Sequence, residues 1–200
     1  MTERPSVAVM SCMWFELAMI RDIAVIGAGN MGSGIAQKSA TEGFWVQMID
    51  SKEQWLERGH ATIDKFLQEA IERRIFRPEK AADIKDKIQG VVGHENVSPD
   101  IDLVIEAVFE DLELKKDIFS SLDSTCNENT ILATNTSSLS VNELAKHVER
   151  KDRFVGMHFF YHPAKNRLIE LIPAETTSKE TMDAVEQSYK TNKSFRAYKY

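Results

Sequence analysis

A glycine-rich segment has the residue spacing of a phosphate-binding turn. Gly27, Gly29 and Gly32 match the pattern G-x-G-x-x-G, and Asn30 and Met31 lie between the last two glycines. The first glycine of this pattern permits a tight turn, the second lets a pyrophosphate approach the backbone, and the third lets helix and strand pack closely. The amino terminus of the following helix favours an anion. The spacing therefore predicts a phosphate-containing ligand.

An acidic residue completes the pattern. Asp50 lies 21 positions beyond Gly29, at the end of the next apolar run. A carboxylate at this place can accept hydrogen bonds from the adenosine ribose hydroxyls, and its charge would repel the additional phosphate of NADP. The combination predicts NAD as the cofactor. Two alternatives stay open: another ligand of similar turns, such as FAD or S-adenosylmethionine, and a turn with a capping aspartate and no ligand.

The apolar runs predict the elements that position these residues. Continuous apolar runs, typical of strands buried on both faces, occur at residues 23–26, 44–49, 91–92, 103–105, 131–133 and 154–157. Helical patterns lie between them at residues 34–40, 53–75, a short stretch up to 88, 112–122 and 141–148. The alternation predicts an α/β fold, a Rossmann-type doubly wound, mostly parallel sheet with helices on both faces. Ligands of such sheets bind outside the carboxyl ends of the strands.

Four longer segments carry a family resemblance. They are VIGAGNMGSGIA at residues 25–36, DLVIEAVFEDLELKK at 102–116, ATNTSSL at 133–139, and RFVGMHFF at 153–160 followed by RLIEL. Together, from about Ile23 to Ile172, they resemble the amino-terminal domain of the NAD-dependent L-3-hydroxyacyl-CoA dehydrogenases. The resemblance implies an oxidoreductase that interconverts an L-3-hydroxyacyl-CoA and a 3-ketoacyl-CoA with NAD.

The resemblance also implies a catalytic pair. It makes His158 the base that takes the proton of the substrate's 3-hydroxyl, a task that suits an imidazole because this group titrates near neutrality. It makes Glu170 the carboxylate that accepts the N–H of the other ring nitrogen and orients the ring. Without the resemblance, the same residues would be interpreted as a core histidine and an edge carboxylate.

Ser137 is the third residue of the implied catalytic set. The resemblance places its hydroxyl at the substrate hydroxyl or carbonyl. A helix cap is the alternative, but Ser140 and Glu143 already form a capping-box pattern, which leaves Ser137 free for a ligand.

Further ligand contacts are implied by the same resemblance. Ala107, Glu110, Lys115 and Asn135 match cofactor positions, although Glu110 and Lys115 could equally belong to a solvated helix face. Tyr161 replaces the asparagine that the family usually has at a cofactor contact. Two basic residues, Arg73 and Arg74, lie where the family has basic residues near the CoA phosphates.

No metal site is predicted. A metal would need His158, His162 and a third ligand, and Pro163 argues against a helix that pairs the two histidines. The sequence has no H-E-x-x-H pattern, and its two cysteines, Cys12 and Cys126, are not in a C-x-x-C pair.

Composition limits the partners and the location. The 200 residues include 25 Lys and Arg against 31 Asp and Glu, a net charge of -6, so we expect a small acyl-CoA substrate and neither nucleic acid nor membrane. The apolar stretch before Ile20 contains Glu16 and is too short to cross a bilayer. With no export signal and few cysteines, a cytoplasmic location is expected.

The chain is divided into three parts. Residues 1–20 are interpreted as an amino-terminal extension, 21–190 as the NAD-binding Rossmann domain, and 191–200 as an atypical tail without the apolar strand that the family has there. The family's helical carboxyl-terminal domain is expected to be absent, and a homodimer is expected only where that domain is present.

Two functional alternatives remain. One is a non-catalytic NAD-binding fragment, because half of a site can retain the cofactor. The other is a Rossmann dehydrogenase of another hydroxy acid, in which a lysine would replace His158 and Glu170 at the chemistry.

Overall fold

A computed structural model describes residues 20–166, 168–190 and 196–199. The predicted amino-terminal extension lies outside the described residues, apart from Ile20. The strands are β1 Asp22–Ile26, β2 Trp45–Asp50, β3 Ile88–Val92, β4 Leu103–Glu106, β5 Ile131–Thr134, β6 Phe154–Phe159, β7 Leu168–Pro173 and β8 Arg196–Lys199. The helices are α1 Asn30–Glu42, α2 Glu53–Glu72, α3 Pro78–Asp86, α4 Leu112–Thr125, α5 Val141–Ala145 and α6 Lys179–Lys190.

The strands form one sheet in the order β3-β2-β1-β4-β5-β6-β7-β8. All neighbouring strands are parallel except β6 and β7, which are antiparallel. The chain moves outward from β1 to β3 and then returns to β4 on the other side of β1. This reversal opens a crevice at the carboxyl ends of β1 and β4, where ligands of doubly wound sheets bind. The predicted Rossmann-type fold is confirmed.

The strands of the centre are apolar on both faces because helices cover both. Ile23 and Val25 pack into the cluster that contains α1, α2 and α6 residues, whereas Ala24 and Ile26 pack into the cluster that contains α4 and α5 residues. Alternate residues of one strand thus enter opposite halves of the core. The result is a rigid sheet whose carboxyl-end loops carry the site.

Some elements differ from the sequence prediction. Residues 191–200, which were expected to lack an apolar strand, contain the short strand β8 at Arg196–Lys199, which pairs in parallel with β7. β7 and α6 were not among the predicted elements. The helix predicted at residues 141–148 is shorter and ends at Ala145, and Ile88, the expected end of a short helix, instead begins β3.

Candidate functional site

The glycine turn joins β1 to α1 and is closed by the loop after β4. Gly27 has a φ of 104°, and a Cβ there would lie 2.8 Å from the carbonyl oxygen of Ala107. A Cβ on Gly32 would lie 1.8 Å from the carbonyl oxygen of Gly27. These two glycines are therefore required by the protein's own backbone, as the first and third positions of the pattern predict.

Gly29 is different, because a Cβ there would have no protein atom within 4 Å. Its φ of -69° is open to any residue, and no side chain caps the amino terminus of α1, which begins at Asn30. The protein thus leaves both space and unpaired N–H groups at this point, as an incoming phosphate requires. Asn30 is exposed and Met31 packs partly against the core. The turn fits the pyrophosphate of a dinucleotide.

Asp50 ends β2 beside the turn. Its Oδ2 accepts a hydrogen bond from the backbone N–H of Ala28 at 2.8 Å, and its Oδ1 accepts one from the N–H of Ser51 at 2.7 Å. Each carboxylate oxygen can accept more than one hydrogen bond, so capacity remains for ribose hydroxyls. Asp50 thus also anchors the turn, a capping role that the sequence offered only as an alternative to ligand binding.

The His158 and Glu170 side chains form a close pair. The distance from His158 Nδ1 to Glu170 Oε2 is 2.7 Å, and the two side chains are 22% and 20% exposed. His158 and Glu170 are direct partners in the antiparallel register of β6 and β7. The ring of His158 also lies against Phe160, with centroids 4.8 Å apart. Because Nδ1 faces the carboxylate, Nε2 is the nitrogen left for another partner.

An open cleft of about 370 Å³ contains this pair and Ser137. The cleft lies between the loop after β5 and the strands β6 and β7, and its walls include Leu139, Asn142 and Ile172. A larger depression of about 560 Å³ lies at the opposite edge of the sheet, beside Asp22 and Trp45. We take the smaller cleft as the site because ligands of parallel sheets bind at the carboxyl edge. All three predicted catalytic residues thus meet in one cleft.

Glu110 and Lys115 have partners inside the protein. The side chain of Lys115 is 1% exposed, and its ammonium lies 2.7 Å from Oε1 of Glu106 and 3.0 Å from Oε2 of Glu110. It therefore offers no free charge to a cofactor at the surface. Glu106 is fully buried and was missed by the sequence analysis. A charged residue at the end of an apolar strand was the available signal.

Glu110 connects two loops. Its Oε1 accepts hydrogen bonds from the Thr136 hydroxyl at 2.5 Å and from the backbone N–H of Ser137 at 2.8 Å. Burial by itself raises the pKa of Glu110, but hydrogen bonds from Thr136, Lys115 and Ser137 outweigh burial and lower the pKa from 4.5 to about 2. The carboxylate is therefore charged at any ordinary pH, and it is not part of a merely solvated helix face.

Asn135 connects β5 to the end of β6. Its side-chain oxygen accepts a hydrogen bond from the backbone N–H of Phe159 at 2.8 Å. The backbone N–H of Asn135 donates to the backbone carbonyl of Glu106 at 2.8 Å. The carboxyl ends of β4, β5 and β6 are thereby tied together beside the cleft.

Tyr161 and His162 follow β6, and their side chains differ in exposure. Tyr161 is 73% exposed, whereas His162 is buried with its ring 4.1 Å from that of Phe66. Burial and the nearby charge of Lys165 lower the pKa of His162. The described residues contain no group of three or more His, Cys, Asp or Glu that could hold a metal ion.

Arg73 and Arg74 lie exposed at the end of α2. Arg73 caps the helix, and Arg74 has a left-handed φ of 57°, which turns the chain out of the helix. Neither residue lines the cleft around His158.

In the described part of the chain, no helix combines the length and apolar character needed to cross a bilayer.

Known proteins with similar sequences include 3-hydroxybutyryl-CoA and hydroxyacyl-coenzyme A dehydrogenases. The chain is 41% identical over 163 residues to a 3-hydroxybutyryl-CoA dehydrogenase of Clostridioides difficile, a match that covers 82% of this chain and 58% of the relative. It is 35% identical over 180 residues to the mitochondrial hydroxyacyl-coenzyme A dehydrogenase of Rattus norvegicus, covering 86% of this chain and 57% of the relative. The chain thus spans somewhat more than half the length of these relatives.

A solved structure and a family sequence model agree with these matches. The crystal structure of (S)-3-hydroxybutyryl-CoA dehydrogenase from Ralstonia eutropha has a TM-score of 0.85 and 36% identity, covering 90% of this chain and 63% of that one. The sequence model described as 3-hydroxyacyl-CoA dehydrogenase, NAD binding domain, matches residues 22–194. The chain therefore belongs to the 3-hydroxyacyl-CoA dehydrogenase family through its NAD-binding domain, and its cofactor is NAD.

Proposed function

We propose that this chain forms the NAD-binding part of an enzyme that interconverts an L-3-hydroxyacyl-CoA and a 3-ketoacyl-CoA. The observation that carries the proposal is the contact of 2.7 Å between His158 Nδ1 and Glu170 Oε2, in a cleft that also contains Ser137. Names of the relatives support the substrate class, since they include 3-hydroxybutyryl-CoA and hydroxyacyl-coenzyme A dehydrogenases.

The proposed proton transfer uses Nε2 of His158. Glu170 accepts the hydrogen bond from Nδ1–H, which leaves Nε2 unprotonated and able to take the proton of the substrate's 3-hydroxyl. The negative charge of Glu170 then stabilises the imidazolium, and the ring returns the proton in the reverse direction. Bound NAD supplies the two-electron redox chemistry of the interconversion. Ser137 is proposed to donate a hydrogen bond to the substrate oxygen in the same cleft.

The glycine turn and its neighbours are proposed to hold the cofactor. Backbone N–H groups at Gly29, Asn30 and Met31 would bind the pyrophosphate, in the space that Gly27 and Gly32 shape. Three further contacts are proposed with Asp50 at the ribose and with Ala107 and Asn135 in the loops after β4 and β5. Tyr161 is proposed as a cofactor contact in place of the usual asparagine. For Glu110 and Lys115, whose side chains have internal partners, we propose a supporting role in the same loops.

We propose residues 21–190 as the NAD-binding domain, Arg73 and Arg74 as contacts of the CoA phosphates, and a homodimer only where a helical domain is present. The exposure of both arginines at the end of α2 supports the CoA contact. A cytoplasmic location is proposed because Cys126 is buried as a free thiol, which suits a reducing compartment.

Reduction of acetoacetyl-CoA tests the proposed reaction. NADH oxidation is followed by absorbance with the 200-residue chain and with the chain extended by the carboxyl-terminal segment of the Clostridioides difficile relative. We expect NADH binding in both proteins and faster turnover in the extended one, because added structure over the carboxyl edge would position the thioester and exclude water. NADH binding without turnover in either protein would favour the non-catalytic alternative and contradict the proposal.

A further inference from the structure

A buried charge network lies beside the proposed catalytic cleft. It consists of Glu106, Lys115 and Glu110, and below we call it the carboxylate–lysine network. Lys115 Nζ lies 2.7 and 2.9 Å from the two oxygens of Glu106 and 3.0 Å from Glu110 Oε2. Lys115 is 1% exposed and Glu106 is 0% exposed. An ammonium without such partners would be costly to bury, so the three side chains fix one another in place.

The network reaches the loop after β4, which lies beside the glycine turn. Glu106 Oε1 accepts a hydrogen bond from the backbone N–H of Val108 at 2.8 Å. Its other oxygen accepts one from the hydroxyl of Thr134, in β5, at 2.7 Å. Both oxygens of the buried carboxylate are thereby satisfied by the ends of two neighbouring strands, which gives the network a single geometry.

The network also reaches the loop that carries Ser137. Glu110 Oε1 accepts hydrogen bonds from the Thr136 hydroxyl at 2.5 Å, the Ser137 N–H at 2.8 Å and the Ser138 N–H at 3.3 Å. Glu110 therefore holds the backbone of this loop while Lys115 holds Glu110. The contact with Ser137 uses its backbone N–H and not its hydroxyl. Ser137 also lines the cleft that contains His158 and Glu170.

We propose that Glu110 is a positioning residue for Ser137, and that Lys115 and Glu106 anchor Glu110 for this purpose. The inference rests on the proposed function for the role of Ser137, but the network itself is independent of it. Buried ion networks add little stability compared with apolar packing of the same volume, so the network's contribution is the geometry of the loop.

Two variants with their controls test the inference in the full 200-residue chain. Glu110→Gln removes the charge that Lys115 holds. Thr136→Val removes one donor to Glu110, and with it the acceptor of the Ser138 and Leu139 N–H groups, so in this variant only the Ser137 amide reports on Glu110. Thr136→Ser restores the hydroxyl. The matched control is Glu113→Gln, which makes the same chemical change in the ion pair with Lys116 on α4, the helix that follows Glu110. Thermal unfolding identifies any variant that fails to fold. If Glu110→Gln fails to fold, Thr136→Val is the variant that tests the inference.

The first measurements do not require turnover. We expect faster hydrogen exchange at the Ser137 and Ser138 amides in Glu110→Gln, and at the Ser137 amide in Thr136→Val. The acceleration should be about tenfold or more, because a change of about tenfold corresponds to the free energy of one lost hydrogen bond. Thr136→Ser and Glu113→Gln should exchange like the parent. The affinity for NADH should change by less than about threefold, because the loss of a direct contact with the cofactor would lower the affinity by more than that. Unchanged hydrogen exchange at the Ser137 amide would overturn the inference, whether or not the affinity for NADH falls.

The second measurement is a double-mutant cycle on acetoacetyl-CoA reduction. Glu110→Gln should lower kcat by about tenfold or more with little change in KM for the cofactor, and in a Ser137→Ala background it should lower kcat by less than about twofold. Independent, additive effects would show that Glu110 does not act through Ser137. If the 200-residue chain does not turn over, the cycle is measured in the extended chain. Absence of turnover in both would contradict the proposed function, and exchange and NADH binding would then decide the positioning role.

Discussion

Nδ1 of His158 lies 2.7 Å from Oε2 of Glu170 because the two residues are direct partners across the β6–β7 pair. The side chains of directly opposed residues leave the same face of an antiparallel pair. The only antiparallel pairing among the described strands therefore brings together two residues that are 12 positions apart in the sequence. The ladder of β6 and β7 fixes the orientation of the imidazole before any ligand arrives.

This relationship predicts that the two residues act as one unit. Glu170→Gln should lower kcat while NADH affinity stays nearly unchanged, because Glu170 contacts His158 and lies outside the glycine turn. The double variant His158→Gln/Glu170→Gln should be little slower than His158→Gln alone, since the carboxylate acts through the ring. Steady-state kinetics and NADH titration measure both effects. Losses that multiply in the double variant would show that the two residues act separately.

The glycine turn predicts opposite outcomes for two alanine substitutions. Gly32→Ala should destabilise the fold, because its Cβ would overlap the carbonyl oxygen of Gly27 at 1.8 Å. Gly29→Ala should leave thermal stability nearly unchanged, because its Cβ would contact no protein atom. It should nevertheless weaken NADH binding by about tenfold or more, because the Cβ would keep the phosphate from approaching the backbone. Unfolding curves and NADH titration separate the two. Full NADH affinity in Gly29→Ala would contradict the proposed phosphate site.

Asp50 predicts the choice between NAD and NADP. Repulsion of the additional phosphate and lost ribose hydrogen bonds should together favour NADH by about 2 kcal/mol, roughly thirtyfold in affinity. Asp50→Asn is the informative variant, because it removes the charge and keeps an oxygen for the Ala28 N–H that Asp50 now binds. Calorimetry should show the preference relaxed in this variant. Equal affinity of the parent protein for both cofactors would contradict the assignment.

The lowered pKa of Glu110 predicts a pH dependence of stability. Its pKa is 4.5 without the fold and about 2 within it, so the carboxylate contributes stability that is fully present above about pH 4.5 and disappears as pH falls through about 2. The difference in unfolding free energy between the parent and Glu110→Gln should therefore shrink between pH 4.5 and 2. Denaturant titrations at several pH values measure it. A constant difference across this range would contradict the proposed contacts of the charged carboxylate.

Local patterns predicted the centre of the sheet well. The continuous apolar runs around Val25 and Ile105 mark strands that are buried on both faces, and such runs do not depend on distant residues. The glycine turn is equally local, since the backbone overlaps at Gly27 and Gly32 arise from the turn itself and the adjacent loop.

The contacts of the side chains could not be predicted in the same way. Lys115 and Glu110 belong to a charged stretch that could have been solvated, and only the return of β5 beside β4 brings Thr136 and Ser137 to Glu110. The second function of Asp50, as an acceptor for Ala28, likewise depends on tertiary placement. β8 was missed because Arg196–Lys199 has no apolar run. It is recognisable as a strand only through its pairing with β7 at the edge of the sheet.

The most direct test of the account is the rate of acetoacetyl-CoA reduction by His158→Gln, made in the chain extended with the relative's carboxyl-terminal segment. Proton transfer by a positioned side chain typically contributes a factor of about 100 to 10,000, so kcat should fall by that factor while the dissociation constant of NADH stays nearly the same. A His158→Gln protein that reduces acetoacetyl-CoA at the parent rate would show that His158 is not the base. It would contradict the central claim even if every contact around Glu170 were correct.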